Sequence, residues 1–223
     1  MRPLEIRRLG VVRYRDALGL QRALVEERRA DHVPDLLLLL QHPPVITLGV
    51  KGDGGRSNVV AAASRLAELG IDISETGRGG DVTYHGLGQI VGYPILDLRP
   101  DRCDVHRYVR DVEEMMIRVC VDYRVTARRV EGLSGTWIGE DKIGAIGMRI
   151  SRWITSHGFA FNVNTNLEHF DLIVPCGISN QGVTSLQRAT GRKISIGEVE
   201  DSVSRHFCDV FERDVTDQMQ AFA

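Results

Sequence analysis

The order of secondary-structure patterns is the feature that most limits the fold of this chain. Short runs of apolar and β-branched residues indicate strands, and apolar residues at intervals of three and four indicate amphipathic helices. The two kinds of segment do not alternate one for one along the sequence. This order predicts an α+β fold, a mixed β-sheet with helices packed on one side of it.

Ten strands and four helices are predicted. The strands are residues 4–8, 36–40, 45–48, 71–74, 81–84, 90–96, 125–130, 136–138, 142–150 and 155–163. The helices are residues 14–29, 59–69, 104–123 and 197–213, the second of which ends before Gly70, a suitable C-cap. No repeat or composition break marks a linker. We therefore expect one domain, residues 1–223, and leave open a small C-terminal lobe from about residue 179.

Charge and hydropathy exclude two classes of protein. The 28 basic and 30 acidic residues give a net charge of -2, which does not suit a general nucleic-acid binder. The longest apolar run, residues 36–40, falls far short of the roughly 20 residues that span a bilayer. Because charged residues stand near the start where a signal peptide needs an apolar run, we expect a cytoplasmic location. The first 30 residues hold eight arginines against four acidic residues, which indicates either a solvated basic surface or a docking patch.

The four cysteines have no C-x-x-C pair and no short spacing to histidine. Neither a zinc site nor a disulfide framework is therefore supported, and we expect no metal. Cys120 and Cys208 fall on apolar helical stripes, which predicts core positions. Cys103 lies in a polar stretch before a predicted helix, which indicates an incidental loop thiol.

Cys176 stands between a proline and a glycine. Proline holds the preceding residue extended, and glycine lets another group approach the backbone closely. Such a loop can present a reactive thiol, while a buried structural cysteine is the alternative.

The segment from residue 76 to 89 contains five glycines in fourteen residues. Two tight turns around a short strand would account for the glycines alone. The segment is neither a P-loop nor a dinucleotide-binding fingerprint, because it lacks the Gly-Lys-Ser/Thr end and the following helix. A binding site is favoured by the polar side chains crowded there, which are Arg78, Thr83, Tyr84, His85 and Gln89.

Two successive predicted strands, residues 142–150 and 155–163, carry small residues where β-branched ones would ordinarily pack. The small residues include Ala145, Gly147, Gly158 and Ala160. On neighbouring strands they would leave a groove, or they would let a helix pack closely. The pattern alone permits both.

These blocks and their order resemble the lipoyl(octanoyl) transferases. The main signature of that family is matched by Arg78-Gly79-Gly80, Thr83-Tyr84-His85, Gly88-Gln89 and Tyr93. Residues 41–44, 142–147, 157–160 and 175–178 are similar to its other blocks, and the similarity runs from about residue 7 to 205. Leu87 departs from the pattern, since that family usually has proline there.

The resemblance implies a fold shared with biotin and lipoate protein ligases. It also implies an acyltransferase that moves an octanoyl group from acyl carrier protein to a lysine amine, without cofactor or metal. The implied acceptors are lipoyl domains of 2-oxoacid dehydrogenase E2 subunits and glycine cleavage H protein. The implied catalytic pair is Cys176, which carries the acyl group as a thioester, and Lys142. The implied substrate-binding residues are Arg78, Gly79, Gly80, Asp81, Val82, Thr83, Tyr84, His85, Ala145, Ile146, Gly147, Gly158, Phe159 and Ala160.

The chemistry of a cysteine and a lysine agrees with this implication. A thiolate exchanges with a thioester without an activated nucleotide, and an amine then takes the acyl group. A lysine ammonium favours the thiolate and, once neutral, can accept the proton of the amine. Three alternatives stay open: an ATP-dependent lipoate or biotin protein ligase, a non-catalytic acyl-binding module, and a hydrolase with His85 or His157 as base.

Overall fold

The computed structural model describes residues 2–51, 55–174 and 182–216, and their α+β fold confirms the predicted fold class. An eight-stranded large sheet lies beside a three-stranded small sheet within these residues. In spatial order the large sheet contains β11 (Arg213–Val215), β1 (Arg2–Val11), β2 (Asp35–Gln41), β6 (Gln89–Ile95), β10 (Ile154–Asn162), β9 (Asp141–Ser151), β8 (Leu133–Ile138) and β7 (Arg128–Val130). The small sheet contains β4 (Asp72–Glu75), β3 (Val45–Leu48) and β5 (Thr83–His85).

Both sheets are mixed. Strand β1 runs parallel to β2 and β11, and the remaining neighbours in the large sheet are antiparallel. In the small sheet β3 is parallel to β4 and antiparallel to β5. The helices of the described residues are α1 (Tyr14–Arg29), α2 (Ala63–Glu68), α3 (Val105–Asp122), α4 (Leu186–Thr190) and α5 (Ile196–Phe211), with 3-10 turns at Arg56–Asn58 and Leu167–Leu172. None of the helices in these ranges combines the length and the apolar character that crossing a bilayer requires.

The five leucines of β2, residues 36–40, are fully buried on both faces of the large sheet. Leu37 and Leu39 pack in one hydrophobic cluster with α3 and α5. Leu36, Leu38 and Leu40 pack in a second cluster with α1. Because successive strand residues point to opposite faces, the helices cover both sides of the sheet. The prediction that helices lie on one side is therefore wrong, and an unbroken leucine run is typical of a strand covered on both faces.

The long helices follow the predicted apolar stripes. Helix α3 begins after Asp104, whose side chain accepts a hydrogen bond from the backbone of Arg107 at 3.0 Å. Cys120 on α3 and Cys208 on α5 are buried, which confirms their predicted core positions, and Cys103 is exposed.

The sequence left open a small C-terminal lobe from about residue 179. In the structure α5 packs against α3 in the same hydrophobic cluster, and β11 extends the large sheet beside β1. Within residues 182–216, these elements therefore contribute to the main core and to the large sheet.

Some predicted boundaries are wrong for local reasons. Helix α2 begins at Ala63 instead of residue 59, because Val59 forms an antiparallel bridge with Ile173. Strand β5 begins two residues later than predicted, at Thr83. Helix α4 and strand β11 were not predicted, since five and three residues are too few for periodicity to show.

A buried ion network joins α1, β2 and β11. The carboxylate of Asp35 accepts hydrogen bonds from Arg28 Nε at 2.9 Å and from Arg213 Nε at 3.0 Å. It also accepts one from the backbone nitrogen of Asp97 at 2.9 Å. The side chains of Asp35, Arg28 and Arg213 are 2%, 6% and 1% exposed, so water cannot replace these partners.

Asp35→Asn should lower the free energy of unfolding by about 3 kcal/mol, because it removes the one buried carboxylate that the two buried guanidinium groups share. Urea denaturation of the full chain measures the change. Asp31→Asn is the matched control, since Asp31 also pairs with Arg28 at 2.7 Å but has a side chain that is 89% exposed. The control should cost less than about 1 kcal/mol. Equal losses for both variants would contradict the importance assigned to the network.

Candidate active site

A cavity of about 110 Å³ lies on the face of the large sheet that also carries α1, and we call it the main cavity. Strands β6, β9 and β10, the glycine-rich segment of residues 76–89, and Tyr14 at the start of α1 all contribute to its walls. Much of the lining is apolar, including Val91, Ile146 and Phe159. The cavity can therefore hold an apolar chain with polar groups placed around it.

The structure brings twelve of the predicted substrate-binding residues together around the main cavity. They are Arg78, Gly80, Asp81, Val82, Thr83, His85, Ala145, Ile146, Gly147, Gly158, Phe159 and Ala160. The predicted catalytic residue Lys142 also lines the cavity. Its predicted partner Cys176 lies outside the described residues.

Two predicted binding residues, Tyr84 and Gly79, are not in the lining. Tyr84 lies on β5 between Thr83 and His85, so its side chain leaves the opposite face of the strand and its hydroxyl bonds His169 Nδ1 at 2.8 Å. Gly79 instead donates a backbone hydrogen bond to the carbonyl of Met148 at 2.8 Å. A Cβ on Gly79 would stand 3.0 Å from that carbonyl, which accounts for glycine there.

The sequence left open whether the small residues of β9 and β10 form a groove or allow close packing, and the structure shows both. A Cβ on Gly158 would lie 2.1 Å from the backbone oxygen of Gly92, so close strand packing requires glycine there. A Cβ on Gly144 would lie 2.5 Å from the sulfur of Met116 on α3. Ala145 and Gly147 line the main cavity, and the Cβ that Gly147 lacks would stand 3.0 Å from Arg78 Cδ. The small residues of β9 and β10 therefore allow close packing at some positions and line the main cavity at others.

A buried chain of hydrogen bonds runs from the glycine-rich segment to β10. His85 Nδ1 donates to Gln89 Oε1 at 2.7 Å, and Gln89 Nε2 donates to Asn162 Oδ1 at 2.9 Å. Asn162 Nδ2 then donates to the backbone oxygen of Thr184 at 3.0 Å. Each polar group in this buried chain has a partner, which holds the cavity wall in one arrangement.

The same chain of bonds reaches Lys142. The backbone nitrogen of Thr184 donates to the carbonyl of Lys142, and the nitrogen of Lys142 donates to the carbonyl of Gly182, both at 3.0 Å. Lys142 Nζ lies 4.7 Å from the centre of the Trp137 ring, a cation–π contact. Lys142 is thus fixed beside the described residues that directly follow residues 175–181.

Arg78 brings a buried guanidinium to the cavity. Its Nη2 donates to the backbone oxygen of Thr47 at 2.7 Å, and its Nη1 donates to the oxygen of Gly79 at 3.1 Å. These bonds tie the glycine-rich segment to β3 of the small sheet. They also place a permanent positive charge in the cavity wall.

Three histidines near the cavity are neutral at pH 7. Burial lowers the pKa of His42 to about 4 and that of His85 to about 3, with the neighbouring His42 adding to the shift of His85. Burial, helped by Arg78, lowers the pKa of His157 to about 4. His42 Nδ1 donates to the carbonyl of Val12 at 2.7 Å. No three His, Cys, Asp or Glu side chains cluster as metal ligands in the part of the chain that the structure describes.

Several lining residues were not in the predicted set. They are Tyr14, Gln89, Val91, Tyr93, Ser134, Ile143, His157, Asn162, Phe170 and Val183. Gln89, Tyr93 and His157 belong to the sequence blocks described above, so a signal for them was present. Tyr14 and Phe170 come from separate elements, and only tertiary packing brings them to the cavity.

The family model of the lipoyl protein ligase A/B catalytic domain matches residues 13–208 of this chain. An octanoyltransferase of Myxococcus xanthus is 50% identical, over 97% of this chain and 62% of that protein. An octanoyltransferase of Caldicellulosiruptor saccharolyticus is 49% identical, over 91% of this chain and 86% of its own.

Solved structures share the fold at low sequence identity. A bipartite lipoate protein ligase of Thermoplasma acidophilum matches 97% of this chain and 86% of its own with a TM-score of 0.73 and 18% identity. A biotin protein ligase of Aquifex aeolicus matches 95% of this chain and 71% of its own with a TM-score of 0.54 and 14% identity. At such identities the likeness shows the fold alone, and it agrees with the ligase-like fold expected from the sequence.

The buried histidines predict a loss of stability in mild acid. Below pH 6.5 the unfolded chain binds protons at His42, His85 and His157 that the folded chain accepts only near pH 3 to 4. Stability is therefore full above pH 6.5 and falls as the pH drops, by about 2 kcal/mol per histidine at pH 5. Urea denaturation from pH 7.5 to 5 measures this slope. His85→Gln should reduce the slope by about a third and the exposed His32→Gln should not, whereas identical slopes for all three proteins would contradict the prediction.

Proposed function

The chain belongs to the lipoyl protein ligase A/B catalytic domain family, and on that premise we propose that it is an octanoyltransferase. The observation that carries this proposal is 49–50% identity over more than nine-tenths of the chain to two proteins of that name. The main cavity supports it, because an apolar slot beside Lys142 suits an eight-carbon acyl group. Burying seven CH₂-sized groups would contribute roughly 5 kcal/mol before the costs of ordering.

The first half of the reaction loads the enzyme. The thiolate of Cys176 attacks the thioester carbonyl of the donor, a new thioester forms, and the donor thiolate leaves with a proton from the Lys142 ammonium. One thioester replaces another, so the step needs no nucleotide.

The second half transfers the acyl group to the acceptor. The lysine amine of the acceptor attacks the acyl-Cys176 thioester, and neutral Lys142 takes the proton that the amine loses. An amide forms, and the thiolate of Cys176 and the ammonium of Lys142 are both restored. The cycle therefore balances in protons without another base.

The described residues support a pairing of Lys142 with the segment that contains Cys176. Val174, directly before the segment, donates its backbone hydrogen to Asn58 at 2.7 Å. Gly182, directly after it, accepts a bond from the backbone of Lys142 at 3.0 Å. One flank of residues 175–181 is therefore bonded directly to the proposed catalytic lysine.

We assign acyl carrier protein as the donor, and as acceptors the lipoyl domains of 2-oxoacid dehydrogenase E2 subunits and glycine cleavage H protein. A carrier-bound thioester and an exposed lysine amine are the two groups that the proposed cycle consumes. The cytoplasmic location expected from the sequence stays a prediction. The rival ATP-dependent ligase would need a nucleotide and no acyl-cysteine, which separates the two by experiment.

Incubation with octanoyl-carrier protein, without ATP and with magnesium chelated, should add one octanoyl group to the protein. Hydroxylamine should remove it, because a thioester is cleaved where an amide is not. Intact-protein mass spectrometry should show the adduct in the wild type and in the control Cys103→Ala, which removes an exposed cysteine. Cys176→Ala should lack it. An adduct that persists in Cys176→Ala, or that forms only with ATP, would overturn the assignment.

Lys142→Arg should keep a cation beside the thiol but lose the proton acceptor, since guanidinium does not deprotonate. Iodoacetamide should therefore alkylate Lys142→Arg at pH 7 at nearly the wild-type rate, and Lys142→Ala about ten times more slowly. Single-turnover transfer to a lipoyl domain should fall at least about 100-fold in both variants. Lys193→Ala, an exposed lysine outside the cavity, is the control. Unchanged alkylation and intact transfer in Lys142→Ala would show that another group, such as His85, activates the thiol.

A further inference from the structure

A second cavity, of about 210 Å³, continues the groove of the main cavity along β9 and β10. At alternate positions of β9, Ala145 and Gly147 line the main cavity and Arg149 and Ser151 line the second one. Helix α1 forms the opposite wall, and His157 belongs to the walls of both cavities. We call this second space the arginine cavity.

The arginine cavity carries an excess of positive charge. Arg22 and Arg29 of α1 and Arg149 of β9 line it. Glu26 neutralises Arg29, whose Nη1 lies 2.6 and 2.7 Å from the two carboxylate oxygens. Within residues 2–51, 55–174 and 182–216, the side chains of Arg22 and Arg149 form no hydrogen bond or ion pair. About two positive charges therefore face the cavity without a carboxylate partner.

Three buried side-chain nitrogens in the same wall also have no partner among the described residues. They are Nε of Arg29, Nε2 of Gln21, which is 2% exposed, and Nδ1 of His157, which is 5% exposed. The other end of the Gln21 amide is fixed, because its Oε1 accepts the backbone hydrogen of His157 at 2.8 Å. A buried donor left unpaired is costly, so Nε2 of Gln21 and Nε of Arg29 call for an acceptor in the cavity, as does Nδ1 of His157 in the tautomer that carries its proton there.

We propose that the arginine cavity binds a phosphate group. Guanidinium groups offer paired donors that match phosphate oxygens, and Gln21 Nε2 adds a neutral donor deeper in the wall. Ser151 and Ser156 also line the cavity, and the Ser156 hydroxyl donates to the backbone oxygen of Arg149 at 3.4 Å. A phosphate has enough oxygens to accept from Arg22, Arg149 and Gln21, whereas an apolar ligand would leave these groups unpaired and a cation would be repelled. No step of the proposed acyl transfer uses this cavity, so the inference stands apart from that function.

The test is titration of the full chain with inorganic phosphate at constant ionic strength, balanced with sodium chloride. Nuclear magnetic resonance follows the side-chain amide of Gln21 and the imidazole of His157. We expect both signals to shift and saturate together. Arg22→Gln and Arg149→Gln should each weaken binding about tenfold through loss of a charge-assisted hydrogen bond. Both arginines are exposed, so the fold tolerates the change.

Arg15→Gln and Arg152→Gln are the matched controls, since both remove an exposed arginine near the cavity but outside its lining. They should change the affinity less than twofold. A parallel titration with glycerol 3-phosphate distinguishes a site for the free ion from one for a phosphate ester, and saturable binding of either supports the proposal. Shifts that do not saturate with either probe, or equal weakening in the controls, would overturn it.

Discussion

Burial of both faces of the large sheet is the constraint on which the other features depend. Helices α3 and α5 cover one face, and α1 with the glycine-rich segment covers the other. The centre of the sheet is therefore closed to water, and the buried carboxylate of Asp35 at the start of β2 pairs with Arg28 and Arg213. On the second face, α1 and the glycine-rich segment do not pack directly against the small residues of β9 and β10. The two cavities are the space that remains between them.

The elements that could be predicted from the sequence are those with a long, regular pattern. Helix α1 has the predicted bounds, and so does β3. The cover on both faces of β2 also had a local signal, because an unbroken leucine run is typical of a strand that is buried on both sides. The alternation of side chains within β5 was not used: Thr83, Tyr84 and His85 were all predicted to bind substrate, but adjacent strand residues point to opposite faces, so Tyr84 points away from the cavity.

Much of the candidate site could also be predicted, because glycines and polar residues crowd into one segment and small residues into two strands. The contacts that complete it join distant parts of the chain and leave no local signal. Asn162 bonds Gln89 across 73 positions, and Gln21 bonds His157 across 136. Tyr14 reaches the main cavity only because α1 crosses the sheet there. Such pairs depend on the whole fold, so their prediction needs the three-dimensional packing.

The pairing of β1 with β11 has a consequence for how the protein is made. Residues 2–4 hydrogen-bond with residues 213–215, so the edge of the sheet joins the two extremes of the described chain. During synthesis β1 leaves the ribosome before β11, and it stays without this partner while the residues between the two strands emerge. Arg213 lies on β11, so Asp35 lacks one of its two guanidinium partners until then. Such long-range closure is slow, and the nascent chain exposes an open strand edge to other proteins in the meantime.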